Sequence, residues 1–288
     1  MTQNGRVVAS FGHQYVVEAD GIRYGCVTRG KQTGIACGDR VDILLTGPAQ
    51  AVIECVLPRS NLLYRSVAHR SKLIAANVEL AVVVVAPIPS YYEILLNRCL
   101  IAAAKAGVHA LICINKSDMD EAASTHATLA CYEALGIPLV HVSAHHDVSA
   151  LLPHLQQRTS VFVGQSGMGK SSLINALIPD AASATGAIST ALDSGRHTTT
   201  GARMYHLNTR SQLIDSPGMQ AFGLHHILPA ELDHLFIEFR PYIGQCRFHN
   251  CRHEHEPGCA IRAACLVGEI LPARMAAYFD ILAELKRK

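Results

Sequence analysis

Short runs of alternating apolar and polar residues, interrupted by Gly and Asp, fill residues 6–57 of the 288-residue chain. Alternation with a period of two is typical of half-buried β-strands. Turn-forming residues separate the runs, for example at residues 19–21 (Ala-Asp-Gly) and 37–39 (Cys-Gly-Asp). Five short strands joined in this way predict a small barrel of the OB or SH3 type. A small β-sandwich without a ligand is the alternative.

From about residue 73 the pattern changes to apolar runs that alternate with helical stretches. Residues 80–85 form one continuous apolar run, which is typical of a strand buried on both faces. An amphipathic helix is expected next, at 93–106, and Gly107 closes it. Similar patterns predict strands at 110–114, 139–142, 160–163 and 212–214, and helices at 121–135, 148–156, 172–177 and 273–285. Strands alternating with helices indicate a parallel sheet covered on both faces, whose ligands bind at the carboxyl ends of the strands.

A glycine-rich sequence, GQSGMGKS at residues 164–171, follows one predicted strand and opens a predicted helix. This context is typical of a P-loop, whose backbone N–H groups and helix N-terminus surround phosphates. We expect Lys170 to reach the β- and γ-phosphates and the Ser171 hydroxyl to ligate Mg²⁺. A simple glycine-rich turn is the alternative. The residues predicted to bind phosphate are Gly164, Gln165, Ser166, Gly167, Met168, Gly169, Lys170, Ser171 and Ser172.

A second polar motif, Asn115-Lys116-Ser117-Asp118, follows the predicted strand at 110–114. The Asp118 carboxylate can accept hydrogen bonds from guanine N1–H and the 2-amino group, whereas adenine leaves it unsatisfied. The stem of Lys116 can cover the face of the base. One strand later, the segment containing Ser143 and Ala144 offers a backbone N–H to guanine O6. The alternative for each is a polar turn at the end of a strand.

A third motif, at residues 215–218 (Asp-Ser-Pro-Gly), follows the predicted strand at 212–214. Asp215 is expected to hold Mg²⁺ through water, and the Gly218 N–H to bind the γ-phosphate. The segment at 194–200 contains three consecutive threonines. A threonine hydroxyl there can complete the Mg²⁺ shell only when a γ-phosphate is present, which makes the segment a candidate switch. The alternative for such a threonine run is a strand edge.

The order of the motifs differs from that of Ras-like GTPases, in which the P-loop comes first and N-K-x-D last. Here the Asn115 motif precedes the P-loop, so the chain has the order of a circularly permuted GTPase. The segment after Asp215 then leads directly into the C-terminal part of the chain. A movement of the switch loop can therefore be transmitted to that part.

Four of the ten cysteines crowd into that C-terminal part with the spacing C-x4-C-x-H-x5-C. Three thiolates and one imidazole make a closed tetrahedral set, which is typical of structural zinc. His249, His255 and Cys265 are competing fourth ligands, and a coincidental or redox-active cluster is the alternative. The helix at 273–285 is expected to pack on this module. The predicted zinc ligands are Cys246, Cys251, His253 and Cys259.

Composition favours a soluble protein of a reducing, cytoplasmic compartment. The remaining six cysteines are scattered, mostly in apolar runs, and no apolar run approaches the ~20 residues that span a bilayer. The N-terminus lacks the apolar stretch of a secretory signal. Residues 1–72 carry nine Lys or Arg against five Asp or Glu. That segment is therefore the best candidate for contact with a polyanion, although a solvated surface explains the same excess.

Taken together, these features resemble the RsgA (YjeQ) family of small ribosomal subunit biogenesis GTPases. Further blocks support the resemblance, which covers essentially the whole chain: 57–59 (Leu-Pro-Arg), 75–78 (Ala-Ala-Asn-Val), 195–200 (Gly-Arg-His-Thr-Thr-Thr) and 256–259 (Glu-Pro-Gly-Cys). It implies an all-β OB-fold RNA-binding domain at 1–70, an α/β circularly permuted P-loop GTPase domain at 71–225, and a helical zinc-binding module at 226–288.

The resemblance also implies cofactors, partners and catalytic residues. The cofactors are GTP or GDP, Mg²⁺ and one structural Zn²⁺, and the partner is the small ribosomal subunit with its rRNA. We expect a monomer without a membrane partner, whose hydrolysis the subunit stimulates and which assists late maturation. Thr199 is the implied switch threonine and Mg²⁺ ligand, with Thr198 and Thr200 as rivals.

Catalysis cannot use the glutamine that Ras-like enzymes place after D-x-x-G, because Met219 stands there. The family points instead to His197, together with Lys170 and Thr199, as the catalytic set. The alternative is that His197 only contacts the nucleotide or the ribosome. Two other functions remain at this stage: a GTP-gated RNA-binding module whose hydrolysis is incidental, and a P-loop kinase or ATPase, which Asp118 disfavours.

Overall fold

The N-terminal part of the chain is a closed β-barrel. The structure is a computed structural model that describes residues 2–30, 33–67, 70–179, 181, 201–216 and 222–287. Strand β1 pairs with both β2 and β4, β3 pairs in parallel with β5, and β5 pairs with β4, which closes the sheet. This connectivity is that of an OB-like barrel, as expected. The barrel strands are β1 (Thr2–Phe11), β2 (Gln14–Ala19), β3 (Ile22–Thr28), β4 (Arg40–Gly47) and β5 (Gln50–Val56).

The barrel interior is filled by the apolar residues that alternate along these strands. Val7, Val17, Val41, Ile43 and Ile53 are fully buried there. Between Val7 and Ala9 the pairing of β1 with β2 shifts by one residue, and such a bulge lets a strand bend around a small barrel. The alternation along the predicted strands is therefore confirmed, and its apolar positions form the core of the barrel.

A two-stranded hairpin, which the sequence did not predict, links the barrel to the next domain. It consists of β6 (Leu62–Val67) and β7 (Arg70–Ala76). The predicted boundary at residue 70 falls at the first residue of β7, and the domain boundaries themselves stay predictions. The hairpin also holds the segment near residue 224, because Ser66 N–H donates to Gly223 O (2.9 Å) and His225 N–H to Ser66 O (3.3 Å).

The central domain has the predicted parallel sheet with flanking helices. Its strand order is β10-β9-β8-β11-β13-β12, and all neighbours are parallel except the β12–β13 pair. The strands are β8 (Leu80–Val85), β9 (His109–Ile114), β10 (Leu139–His141), β11 (Thr159–Val163), β12 (Ala202–Asn208) and β13 (Ser211–Asp215). The helices are α1 (Glu93–Ala106), α2 (Ala122–Ala134), α3 (Leu152–Leu155), preceded by a 3-10 turn at Ser149–Leu151, and α4 (Lys170–Leu177).

Strand β12, also unpredicted, joins the two domains. It pairs antiparallel with β1, with Ala9 opposite Arg203 and Ser10 opposite Ala202. The strands of the described barrel and central domain therefore form one continuous 11-stranded sheet. Arg6 crosses the same junction and donates to Thr159 Oγ1 (2.9 Å) and Gln212 Oε1 (3.2 Å).

The C-terminal module is helical and packs on α1. Its apolar centre is a group of aromatic rings in which Phe236 and Phe239 stack at 5.0 Å and Tyr278 contacts both. Polar links to α1 surround this centre: Arg98 pairs with Glu284, and Lys105 Nζ lies 2.6 Å from Glu231 Oε2. The elements are 3-10 turns at Pro229–Glu231 and Ile237–Tyr242 and helices α5 (Leu232–Leu235), α6 (Ala260–Leu266) and α7 (Pro272–Lys286).

None of the helices in the described part of the chain is both long enough and apolar enough to cross a bilayer.

Candidate functional site

The glycine-rich loop lies where predicted, between β11 and α4 at the carboxyl edge of the parallel sheet. Gly164 has φ +137°, and a Cβ there would lie 2.4 Å from Val84 O on the neighbouring strand. Gly169 has φ +88°, and a Cβ there would lie 2.3 Å from Asn115 Nδ2. Only glycine fits both the dihedrals and the space, so these positions let the loop lie directly against its neighbours.

Asn115 ties this loop to the second motif. Its side chain is buried, donates from Nδ2 to Met168 O (2.9 Å) and accepts at Oδ1 from Ala144 N–H (3.1 Å). Its own N–H donates to Val85 O (2.9 Å). The phosphate loop, the Asn115 motif and the Ala144 segment are therefore held together by one amide. The Ala144 N–H is already donated in this arrangement, so its contact with guanine O6 stays a prediction.

Lys116 and Asp118 occupy the rim of the same site. Lys116 adopts φ +59°, and its Nζ donates to Ile88 O (2.6 Å) and lies 3.4 Å from Gly167 O, so the stem runs alongside the loop. Asp118 is exposed, and the Ser143 hydroxyl hydrogen bond lowers the pKa of its carboxyl. Asp118 is thus a carboxylate at neutral pH, the form that accepts two hydrogen bonds.

Lys170 is buried beneath the loop and its ammonium faces inward. Nζ donates to Gly164 O (2.9 Å) and Gln165 O (2.8 Å). Burial lowers the pKa of Lys170, and the nearby Asp215 carboxylate opposes that shift. A desolvated cation held against the backbone of a glycine-rich loop is suited to bind phosphate oxygens.

Ser171 and Asp215 offer oxygen ligands next to this cation. Ser171 Oγ donates to Asp215 Oδ2 (2.9 Å), whereas the buried Asp215 Oδ1 has no hydrogen-bond partner among the residues the structure describes. Burial raises the pKa of Asp215, and the Ser171 hydrogen bond and Lys170 counteract it. A hydroxyl and a carboxylate oxygen with spare acceptor capacity fit the hard ligand set of Mg²⁺.

The structure describes only some of the remaining residues that were predicted to bind nucleotide. Gln165 and Ser143 lie in the same site: Gln165 Oε1 accepts from Tyr92 N–H (3.1 Å), and buried Ser143 contacts Asp118. Ser166 and Ser172 stand in the loop and in α4. His197, Thr198, Thr199, Thr200 and Gly218 lie outside the described residues, so their roles stay predictions.

The four predicted zinc ligands converge in the C-terminal module. Their ligand atoms all lie within 4.8 Å of one another, and the group does not include His249, His255 or Cys265. Cys246 Sγ and Cys259 Sγ are 3.9 Å apart, and His253 Nδ1 is 3.6 Å and 3.3 Å from them. A tetrahedral Zn²⁺ places sulfurs about 3.8 Å apart and nitrogen about 3.5 Å from sulfur, so the residues fit the ion.

Helix α7 packs against this cluster, as expected. The Tyr278 ring lies 6.0 Å from the His253 ring, and its hydroxyl donates to Arg252 O (3.3 Å). Two further features of the module were not predicted: Asp233 Oδ2 lies 3.4 Å from His253 Nε2, and Arg274 forms a buried ion pair with Glu238. No spacing in the sequence signals either contact, because the partners are 20 and 36 positions apart.

Comparisons with known proteins show the family to which the chain belongs. The model of the RsgA GTPase family matches residues 56–225. The small ribosomal subunit biogenesis GTPase RsgA of Nitrosospira multiformis is 50% identical over 283 residues, covering 98% of this chain and 90% of that protein. The protein of the same name from Neisseria meningitidis serogroup B is 49% identical over 286 residues, covering 99% and 93%.

Solved structures give the same result. The crystal structure of YjeQ from Thermotoga maritima superposes with a TM-score of 0.77 at 30% identity and covers both chains completely. YloQ, described as a circularly permuted GTPase, superposes with a TM-score of 0.73 at 26% identity and covers 100% of this chain and 96% of its own. The chain is therefore a member of the RsgA GTPase family, a GTP-hydrolysing enzyme whose nucleotide motifs occur in circularly permuted order.

Proposed function

We propose that this GTPase binds the small ribosomal subunit and assists its late maturation, and that the subunit stimulates hydrolysis, which is coupled to release. The observation that carries the proposal is the extent of the similarity. Relatives named small ribosomal subunit biogenesis GTPases match at about 50% identity through the barrel, the GTPase domain and the zinc-binding module together. The similarity therefore extends well beyond the region that the GTPase family model matches.

The proposed role of each described nucleotide residue follows from its contacts. Asp118 accepts from guanine N1–H and the 2-amino group, and Lys116 covers the base. Lys170 exchanges its two carbonyl partners for β- and γ-phosphate oxygens. Ser171 would hold Mg²⁺ directly and Asp215 would hold it through water; their oxygens lie 2.9 Å apart, so both can serve one ion. The bound ion neutralises phosphate charge.

We propose that His197 orients the attacking water and that Thr199 is the switch residue that contacts Mg²⁺. Met219 supports this choice, because a thioether cannot orient water as the usual glutamine does. An enzyme that lacks this glutamine is expected to turn over slowly until a partner positions His197 for catalysis. We also propose that Gly218 N–H binds the γ-phosphate.

We propose that nucleotide state reaches the C-terminal module through the segment that follows β13. Residues 223–225 pair with Ser66 of the hairpin, and Glu231 then pairs with Lys105 of α1 at 2.6 Å. These contacts fix residues 223–225 to the hairpin and Glu231 to α1. A rearrangement near Gly218 therefore has only a short segment to cross before it reaches the C-terminal module.

We propose that the N-terminal domain contacts rRNA, since residues 1–72 carry an excess of Lys and Arg. The excess comes from residues 57–72, because residues 1–56 contain five Lys or Arg and five Asp or Glu. A factor that acts on ribosomal subunits works where those subunits are, so we propose a cytoplasmic location. That the protein is a monomer stays a prediction.

Steady-state GTP hydrolysis is the first test. Purified small ribosomal subunits are expected to raise the rate at least about tenfold, because partner-ordered GTPase sites gain up to about 10³–10⁵. ATP is expected to be hydrolysed at background rates. His197→Ala is expected to lose the stimulation while it still binds GTP, and Lys170→Ala defines the background.

Large ribosomal subunits serve as the matched control for rRNA charge. A GTP-specific rate that small subunits do not change would refute the assigned partner and leave a GTP-gated RNA-binding module as the better description. Equal stimulation by both subunits would indicate a general polyanion effect and equally count against the proposal.

We propose that Cys246, Cys251, His253 and Cys259 bind one structural Zn²⁺ that holds the loop at 246–259 in place. Removal of the metal by a strong chelator is expected to release this loop, because structural zinc supplies much of the folding free energy of small modules. Trypsin is then expected to cleave after Arg247 and Arg252. A chelated protein that has lost its zinc and keeps the tryptic pattern of the untreated protein would contradict a structural role.

A further inference from the structure

The His253 imidazole is enclosed on all sides within the described C-terminal module. The residue is 3% exposed, and the rings of Phe239 (6.4 Å) and Tyr278 (6.0 Å) flank it. Its backbone has φ +63°, a left-handed conformation that residues other than glycine adopt rarely and keep only where their surroundings demand it. The orientation of this ring is therefore set by the fold.

The two ring nitrogens face different partners. Nδ1 faces the sulfurs of Cys259 (3.3 Å) and Cys246 (3.6 Å), whereas Nε2 faces Asp233 Oδ2 (3.4 Å). A neutral imidazole carries one proton, and the nitrogen that binds a metal cannot be the one that carries it. With Nδ1 directed at the thiols, the proton belongs on Nε2, where a carboxylate oxygen accepts it.

The Asp233 carboxylate is itself held in place. Its other oxygen, Oδ1, accepts from His234 N–H (2.9 Å), and the residue lies in α5, two positions after Glu231, which pairs with Lys105 of α1. Asp233 thus stands on a segment that is anchored to the GTPase domain. Carboxylates in this relation to a ligand histidine orient the ring and make the metal-binding nitrogen more basic.

We infer that Asp233 is a positioning residue of the metal site, which accepts the Nε2–H of His253, selects Nδ1 as the zinc ligand and ties the site to the segment that follows the nucleotide-binding domain. The inference rests on the proposed zinc site. It adds a fifth residue that the cysteine and histidine spacing does not reveal.

The experiment compares the zinc affinity of the full-length wild type with that of Asp233→Ala, Asp233→Asn and Asp280→Ala, by competition with a chromogenic chelator. Asp280 is an exposed carboxylate on α7 of the same module. Asp233→Ala is expected to bind zinc about 10- to 100-fold more weakly, the usual cost of losing such a partner. Asp233→Asn is expected to lose less, because its amide oxygen still accepts from Nε2–H. Asp280→Ala is expected to match the wild type.

Nitrogen-15 spectra of His253 give a readout that a purely structural role would not change. In the zinc-loaded wild type, Nε2 is expected to carry a slowly exchanging proton, which exchanges faster in Asp233→Ala. Equal affinities for the wild type and Asp233→Ala would refute the role of Asp233 alone, whereas a wild type that takes up no zinc would refute the zinc site itself. If Asp233→Ala does not fold, Asp233→Leu decides, because it fills a similar volume and offers no acceptor to Nε2–H: affinity below that of Asp280→Ala supports the inference, and equal affinity overturns it.

Discussion

Asp118→Asn is expected to lower kcat/KM for GTP by between about a hundredfold and 10⁴-fold and to raise it for XTP. The carboxylate offers two acceptors to the N1–H and 2-amino groups of guanine, whereas an asparagine amide turns one of them into a donor. Xanthine carries a 2-oxo group, which accepts from that donor. Sites built around such hydrogen bonds reject a mismatched partner strongly. Turnover of GTP, XTP and ATP in the presence of small ribosomal subunits measures the change.

The neighbouring carboxylate Asp120 provides the matched control. It is exposed and only two positions away, so Asp120→Asn makes the same change of charge outside the motif and is expected to keep its preference for GTP. Equal losses for GTP and XTP in Asp118→Asn would mean that the residue supports the loop and does not read the base. Unchanged GTP turnover would contradict the assignment of the guanine site.

Arg274→Met is expected to reduce the free energy of unfolding by about 3–5 kcal/mol, because it leaves the Glu238 carboxylate buried without its partner. Arg274 is 4% exposed, and its Nε lies 2.5 Å from Glu238 Oε1. The guanidinium also bonds to Asn97 of α1 and lies 4.8 Å from the Phe236 ring centroid. Urea unfolding followed by circular dichroism and tyrosine fluorescence measures the loss, since the chain has nine Tyr and no Trp.

Two variants separate the buried charge from a loss of packing. Arg274→Met combined with Glu238→Leu is expected to recover at least half of the loss, since apolar replacement of a whole buried pair is often neutral. Arg29→Ala removes the cation of an exposed pair with Glu54, where the Arg29 side chain is 72% exposed, and is expected to cost about 0–1 kcal/mol. A value for Arg274→Met as small as that for Arg29→Ala would contradict the prediction.

Local sequence signals predicted the regular elements well. Helix α1 has the expected bounds, because an apolar stripe with the helical period ends at Gly107, which takes the left-handed conformation at φ +67°. The barrel strands and the parallel strands likewise follow from their periods. The hairpin β6–β7 and strand β12 were missed, although β6 pairs with β7 and β12 with β13, which are near in the sequence. Their contacts to Leu224 and to β1 join segments that are far apart in the chain, so no local pattern indicates them.

The residues of the candidate site were also predictable only in part. The P-loop, the Asn115 motif and the zinc ligands could be named from the sequence because their chemistry requires particular residues at short, regular spacing. The same signals did not indicate that Asn115 joins the phosphate loop to Ala144, that Arg274 and Glu238 pair in the interface with α1, or that Asp233 faces His253.

The amino-acid sequence was enough to identify the class of enzyme, the permuted order of its motifs and the residues expected to contact nucleotide and metal. These properties depend on residue type and local spacing, on which short-range backbone geometry acts directly. The three-dimensional fold was needed to show how the barrel sheet continues into the GTPase sheet through β1 and β12, and how the zinc-binding module is fixed to α1. Such contacts arise when distant segments bury apolar surface together, and the polar groups buried with them must find partners wherever packing brings them.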